Sequence, residues 1–381
     1  MNEQNRIKYL CYYALPDDEQ ERSHILAADN FIDYVSDAMI EAGKDVLILS
    51  ASPTESKTKG YKGFTKELKP HKRIRFFRAF PWNNIINKAL TMLLIRAHIL
   101  YELLSVSKGE VVMVYHSLAY MRTIEIARRL KKFTLLLYVG EIYSDVTHDE
   151  KMKQREMSFF QCADRYVFAT EFLDKIINKK NKPSVALYGS YHNEPVRENV
   201  ARNDGKIHCV YAGTFDHMKG EAQQSMEMSQ YLTDDYCVHI CGFGNERDTK
   251  DLLERVNQIN KQHPERIIYE GSLRGEAFIR MLQSCQIGLF TPITHLEFNG
   301  SDFPSKILSY LTNGQQVVSA RVEPVEKSPL GPYLTFYDGD RPEDIAKAVQ
   351  SVDIRSSFNG RAIVDLLRND FMNNFKNLLQ K

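Results

Sequence analysis

The sequence lacks metal-ligand spacing, a membrane-crossing run and an excess of charge of one sign, and each lack removes a class of function. The six cysteines, Cys11, Cys162, Cys209, Cys237, Cys241 and Cys285, are scattered through apolar, strand-like runs. They form no CxxC pair and no Cys/His metal pattern, so neither a zinc ribbon nor a disulfide framework is expected. Buried free thiols in a reducing cytoplasm fit better. Lys plus Arg number 50 against 49 Asp plus Glu, a balance too even to draw nucleic acid to the whole molecule. Met1–Arg6 is polar and has no apolar core of a secretion signal. The apolar stretch Ile85–Val106 is broken by Asn87, Lys88, Arg96, His98 and Glu102, so no transmembrane helix is expected. Repeats and low-complexity tracts are absent. With 43% hydrophobic and 26% charged residues, the chain has the composition of a protein folded throughout.

What is present reads as alternating strand and helix. A chain of 381 residues exceeds what one core usually supports, so two domains are expected. Arg6–Tyr13, Ile25–Ala42 and Asp45–Ser50 form a strand–helix–strand unit, and the alternation continues through Glu110–Tyr115, Met121–Leu130, Phe133–Val139, Lys151–Cys162 and Tyr166–Thr170. Polar turn signals between Gly189 and Lys206 mark a hinge. A second alternating series then runs from Ile207 to Ala320. These patterns predict an α/β protein of two Rossmann-like, doubly wound domains facing a cleft. The expected boundaries are 1–195, 196–360 and a terminal helix over 361–381 that packs back on the first domain.

Two segments carry the strongest chemical signals. Tyr211-Ala212-Gly213-Thr214-Phe215-Asp216-His217-Met218-Lys219-Gly220 is a strand ending in a glycine turn with a lysine at a helix start. Gly213 lets a ligand approach the backbone, and helix amides plus Lys219 favour phosphate, although a plain strand-to-helix turn has the same outline. Ser301-Asp302-Phe303-Pro304-Ser305-Lys306-Ile307-Leu308-Ser309 opens a short helix with Pro at its start and Gly314 past its end. Lys306 stands in the first turn, where a cation opposes the helix dipole unless an anion lies nearby. In the first half, Tyr138-Val139-Gly140-Glu141-Ile142-Tyr143-Ser144-Asp145 follows an apolar strand. Glu141 and Asp145 are therefore expected at the carboxyl end of the sheet, the edge that faces ligands in open α/β folds.

The turn ending in Lys219-Gly220, Cys241-Gly242-Phe243-Gly244, Tyr269-Glu270-Gly271-Ser272 and Phe303-Pro304-Ser305-Lys306 occur in the order found in GT-B glycosyltransferases. The chain resembles capsular and O-antigen-type sugar transferases over its whole length, more loosely in its first half. The resemblance implies a nucleoside diphosphate sugar donor, most simply a UDP-sugar, and a saccharide or lipid-linked saccharide acceptor in surface-polysaccharide assembly. It implies that Lys219 meets the donor pyrophosphate and that Gly271, Ser272 and Leu273 border the base. Gly213, Thr214, Gly242 and the segment Ser301, Asp302, Phe303, Pro304, Ser305, Lys306 and Ser309 would complete the donor site. Thr214 stands where the family has an arginine, and Ser301 and Ser309 fall where it has two glutamates. Lys306 is expected to take over part of the arginine's work, and Ser309 or a neighbour to meet the ribose.

Glu141 is the first candidate for the base that activates the acceptor hydroxyl and His116 the second, with Tyr143 and Asp145 on the acceptor side. No acidic metal cluster is evident, so lysines and helix amides must stabilise the leaving diphosphate, with neither metal nor cofactor. Between Lys57 and Arg78 lie nine basic residues, Lys57, Lys59, Lys62, Lys66, Lys69, Lys72, Arg73, Arg75 and Arg78, against the single acid Glu67. Such a stretch suits peripheral contact with an anionic membrane face from the cytoplasm, or else a solvated loop. Other readings are a catalytically silent nucleotide-sugar-binding subunit and an epimerase of the same fold. A Rossmann dehydrogenase is disfavoured, because Gly242-Phe243-Gly244-Asn245-Glu246-Arg247 lacks the third glycine.

Overall fold

The computed structural model describes residues 5–15, 20–107, 110–144, 149–216, 220–294 and 303–380. The chain forms two compact units, one of Met1–Ser190 with Phe371–Lys381, the other of Tyr191–Asp370.

Unit 1 is built on strands β1 (Arg6–Cys11), β2 (Asp45–Ser50), β3 (Phe64–Lys69), β4 (Lys72–Phe76), β5 (Val111–Tyr115), β6 (Thr134–Val139), β7 (Arg165–Phe168) and β8 (Ser184–Ala186). Helices α1 (Leu26–Glu41), α2 (Ile85–Leu104), α3 (Met121–Leu130), α4 (Glu150–Phe160) and α5 (Glu171–Ile177) connect them. The sheet order is β3-β4-β2-β1-β5-β6-β7-β8. Its inner strands are parallel, and near-continuous apolar runs such as Val111–Tyr115 suit strands covered on both faces. Leu10, Leu49, Val114, Leu137 and Phe168 form part of the core beneath α2, α3 and α4.

The basic stretch is more structured than a solvated loop. Its second half folds as an antiparallel hairpin, β3 with β4, at the sheet edge. Lys72 is buried there, its ammonium 2.6 Å from Asp33 and 3.0 Å from Asp37 of α1. Lys69 reaches Asp37 at 2.7 Å, and Arg75 pairs with Glu102 of α2. Those three charges are neutralised locally, whereas Lys57, Lys59, Lys62, Lys66 and Arg78 remain exposed. No helix among the described residues is long and apolar enough to cross a membrane.

Unit 2 holds β9 (Ile207–Phe215), β10 (Tyr236–Gly244), β11 (Ile267–Gly271), β12 (Ile287–Phe290), β13 (Gln316–Ala320) and β14 (Thr335–Tyr337). They lie in the order β11-β10-β9-β12-β13-β14, with parallel neighbours. The helices are α6 (Glu221–Met228), α7 (Glu246–Gln262), α8 (Gly275–Gln283), α9 (Ser305–Thr312), α10 (Glu323–Glu326), α11 (Pro342–Gln350) and α12 (Gly360–Gln380). The end of α12 belongs to unit 1. There Arg165 donates to the Leu378 carbonyl at 2.6 Å, and the Phe371 ring lies 6.2 Å from Tyr34.

Candidate functional site

In unit 2 the chain steps outward from β9 through β10 to β11, then returns to β12 on the other side of β9. The switch point of the sheet is therefore between β9 and β12, the place where open α/β sheets leave a crevice at their carboxyl ends. The register shows how it opens. β10 stays paired with β9 as far as Gly244 opposite Phe215, but β12 pairs with β9 only at Ile287 with Cys209 and Gly288 with Val210. The Tyr310 hydroxyl of α9 bridges the parting strands. It donates to the Leu289 carbonyl at 3.2 Å and accepts from the Ala212 amide at 3.0 Å.

At this crevice the structure places Lys306 beside Gly213. A Cβ on Gly213 would stand 2.7 Å from the Tyr211 hydroxyl and 3.0 Å from Lys306 Nζ, so the glycine makes room for the phenol and the ammonium group together. Lys306 also lies 4.5 Å from the centre of the Tyr211 ring, a cation–π contact. The anion that offsets its place in the first turn of α9 is Glu221, in the first turn of α6. The pair is largely shielded, with side-chain exposures of 18% for Lys306 and 10% for Glu221. Burial first, then Glu221, holds the Tyr211 phenol well above its usual pKa. It therefore stays a neutral donor, bonding the Thr214 carbonyl at 2.8 Å.

The other described residues expected on the donor side fall around the same sheet edge. Gly242 has φ +152°, and a Cβ there would meet the Gly213 carbonyl oxygen at 1.7 Å, so the β9–β10 ribbon can close only with glycine. Cys241 pairs with Gly271 at the end of β11, followed by exposed Ser272 and half-buried Leu273. Phe243 projects with 60% of its surface exposed. Phe303 is buried, Pro304 caps α9, Ser305 is exposed and Ser309 is half-buried. Lys219, Ser301 and Asp302 lie outside the described residues. A hollow of about 270 Å3 opens between α6 and α7, lined by Phe215, Asp216, Met226 and Leu252 among others; Lys306 is not part of it.

In unit 1 the corresponding switch lies between β1 and β5. Glu141 is half-buried just past β6 and close enough to Tyr115 that, after burial, its charge helps push that phenol up to about 12. His116 follows β5 and is fully enclosed, stacked on Phe159 with ring centres 5.7 Å apart. Its Nε2 meets Glu156 at 2.7 Å, and Glu156 also accepts from the Tyr143 and Ser144 amides at 3.0 and 2.9 Å. His116 thus belongs to a buried pair that holds the loop carrying Tyr143. Its Nδ1 has no partner among the described residues. Asp145 lies outside them.

Sequence reasoning missed Glu221, Tyr310 and Glu156. Glu221 had a signal, an acid immediately after Lys219-Gly220. The other two act through contacts between distant elements that spacing does not report.

No known family profile matches the sequence, and no curated protein does. Solved structures do match over the full length. Sucrose-phosphate synthase from Thermosynechococcus elongatus superposes with a TM-score of 0.69 at 14% identity, covering 99% of this chain and 98% of that one. The E. coli trehalose-6-phosphate protein bound with UDP-2-fluoro glucose gives 0.68 at 10% identity, covering 99% of both chains. Anabaena HepE, in complex with UDP and glucose, gives 0.64 at 10% identity, covering 98% and 97%. The likeness is one of fold: the chain has the two Rossmann-like domains of the GT-B class.

Proposed function

We propose that this chain is a glycosyltransferase moving a sugar from a nucleoside diphosphate donor, a UDP-sugar, to a hydroxyl of a saccharide or lipid-linked saccharide in surface-polysaccharide assembly. The observation that carries this reading is the Lys306 ammonium seated against Gly213 at the switch point of unit 2. A backbone without a side chain, a helix N-terminus and a cation converge there, the combination that binds a diphosphate. Fold neighbours solved with UDP-2-fluoro glucose and with UDP and glucose support the choice of ligand.

In the proposed reaction the acceptor oxygen bonds to the anomeric carbon, the bond from that carbon to the diphosphate breaks, and the acceptor proton passes to a base. Lys306, the amides of α9 and Lys219 stabilise the charge on the leaving diphosphate without a metal. Glu141 is the proposed base, because the shell around His116 leaves its ring no exposed surface to meet a substrate. Gly271, Ser272 and Leu273 border the base of the nucleotide, and Ser309 meets the ribose. The proposed setting is the inner face of a membrane in the cytoplasm. Lys57, Lys59, Lys62 and Lys66 are exposed in unit 1, and α2 presents Ile85 at 82% and Ile86 at 73% exposure, an apolar and basic surface suited to anionic lipid.

Release of UDP from a panel of UDP-sugars, without acceptor, tests the reading. A transferase hydrolyses its own donor slowly and frees UDP. A silent binding subunit releases none, and an epimerase changes the sugar nucleotide while keeping it whole. Either of those results would replace the proposal.

A further inference from the structure

The polar cluster at the opposite, amino-terminal end of the unit 2 sheet has no part in that chemistry. His208 and Cys237 are register partners on β9 and β10, and His239 lies two residues beyond Cys237, so the three side chains share one face. All three are buried, and one ligand atom from each falls within 4.8 Å of the others. His208 Nδ1 stands 2.9 Å from His239 Nε2.

The outward nitrogens of the two rings fix what the inward ones carry. His208 Nε2 is 3.0 Å from Asp204, and His239 Nδ1 is 2.7 Å from Glu270. Arg202 holds Glu270 in turn at 3.0 Å. Ionised carboxylates only accept, so both outward nitrogens must be N–H donors. Two neutral rings then turn bare lone pairs at each other across a hydrogen-bond distance, an arrangement that repels unless a cation lies between them. A proton would serve the two nitrogens and leave the neighbouring thiol unused. A divalent ion uses all three atoms, and carboxylates on the far side of ligating imidazoles are the usual support for such rings.

We propose that His208 Nδ1, His239 Nε2 and Cys237 Sγ bind a zinc-class divalent ion, with water as the fourth ligand. Bond lengths of about 2.0–2.1 Å to nitrogen and 2.3 Å to sulfur place the ion beside the line joining the two nitrogens, 2.9 Å apart, with Sγ turned towards it from within 4.8 Å. The ion clamps the starts of β9 and β10 together and, through Glu270, ties them to β11. It lies five residues along β9 from Gly213, roughly 16 Å at strand rise, too far to touch the diphosphate of the proposed reaction.

Cobalt titration of the untagged, chelator-stripped full chain tests this. One equivalent should bind with a thiolate-to-cobalt charge-transfer band, zinc should displace it, and either ion should raise the melting temperature. Cys237→Ala should lose the band and the thermal gain. A wild-type chain that shows no such band, or a band unchanged in Cys237→Ala, overturns the assignment and leaves a shared proton between the rings. Because the wild-type titration decides alone, a poorly folding variant does not blunt the test.

Discussion

Replacing Lys306 with methionine, alone and together with Glu221→Gln, separates the proposed binding role of the ammonium from its structural one. A hydrogen bond from a charged group to a diphosphate oxygen contributes about 1.5–3 kcal/mol, roughly a tenfold to hundredfold change in dissociation constant. Lys306→Met should therefore weaken UDP binding by that factor. It also strands the Glu221 carboxylate, which is only 10% exposed. Removing one member of a buried pair costs about 3–5 kcal/mol, and the partial exposure here puts the expected loss near or below the low end. Glu221→Gln on top of Lys306→Met should restore most of that stability but not the affinity. Glu221→Gln alone should tighten UDP binding, since the ammonium no longer shares its charge with a carboxylate of the protein. Calorimetric titration with UDP and thermal melts in one buffer read both quantities. Lys306→Met with wild-type UDP affinity, or Glu221→Gln with weaker affinity than wild type, would refute the reasoning.

Three further outcomes are expected. Gly242→Ala places a Cβ 1.7 Å from the Gly213 carbonyl oxygen at φ +152°; it should lose at least the ~1–3 kcal/mol of local strain in stability, melt at a lower temperature and lose UDP binding, and normal melting would contradict the ribbon geometry. Burial, the largest influence on Glu156, pushes its carboxyl up, but hydrogen bonds from His116 and Ser144 outweigh it and hold it below its ordinary 4.5. A depressed carboxyl adds stability that is complete above the ordinary value and lost as pH falls through the lower folded value; acid titration of unfolding should be shallower in Glu156→Gln, and an equal slope would remove Glu156 as a contributor. Anionic vesicles should sediment the wild type more than a Lys62→Glu/Lys66→Glu variant, the difference fading at high salt; equal sedimentation would count against the membrane surface.

The alternation of apolar runs with amphipathic stretches exposed both doubly wound sheets, because parallel strands covered on both faces are largely apolar and stand out in the sequence even where a buried polar residue such as His208 or His239 interrupts them. Helix ends were equally open: Pro304 before α9 and Gly314 after it bracket the observed Ser305–Thr312. The β3–β4 hairpin was not legible. Lys72 reads as one more surface charge until Asp33 and Asp37 arrive from α1, and burial of a lysine depends on partners that local pattern does not contain. The position of Lys306 was informative because a cation in a first turn is mildly unfavourable without an anion nearby; the sequence pointed to the donor diphosphate as that anion, whereas the structure sets Glu221 of the protein itself against it. The cluster of His208, Cys237 and His239 is made by the register of two parallel strands, so the linear spacing of its ligands resembles no known metal pattern.

Amide hydrogen exchange with and without UDP tests the central claim most directly. Binding at the switch point of unit 2 predicts slowed exchange in the peptides covering Tyr211–Asp216 and Phe303–Tyr310, with the start of β9 unchanged. Full saturation with UDP that leaves those two segments exchanging at their free rates would contradict it.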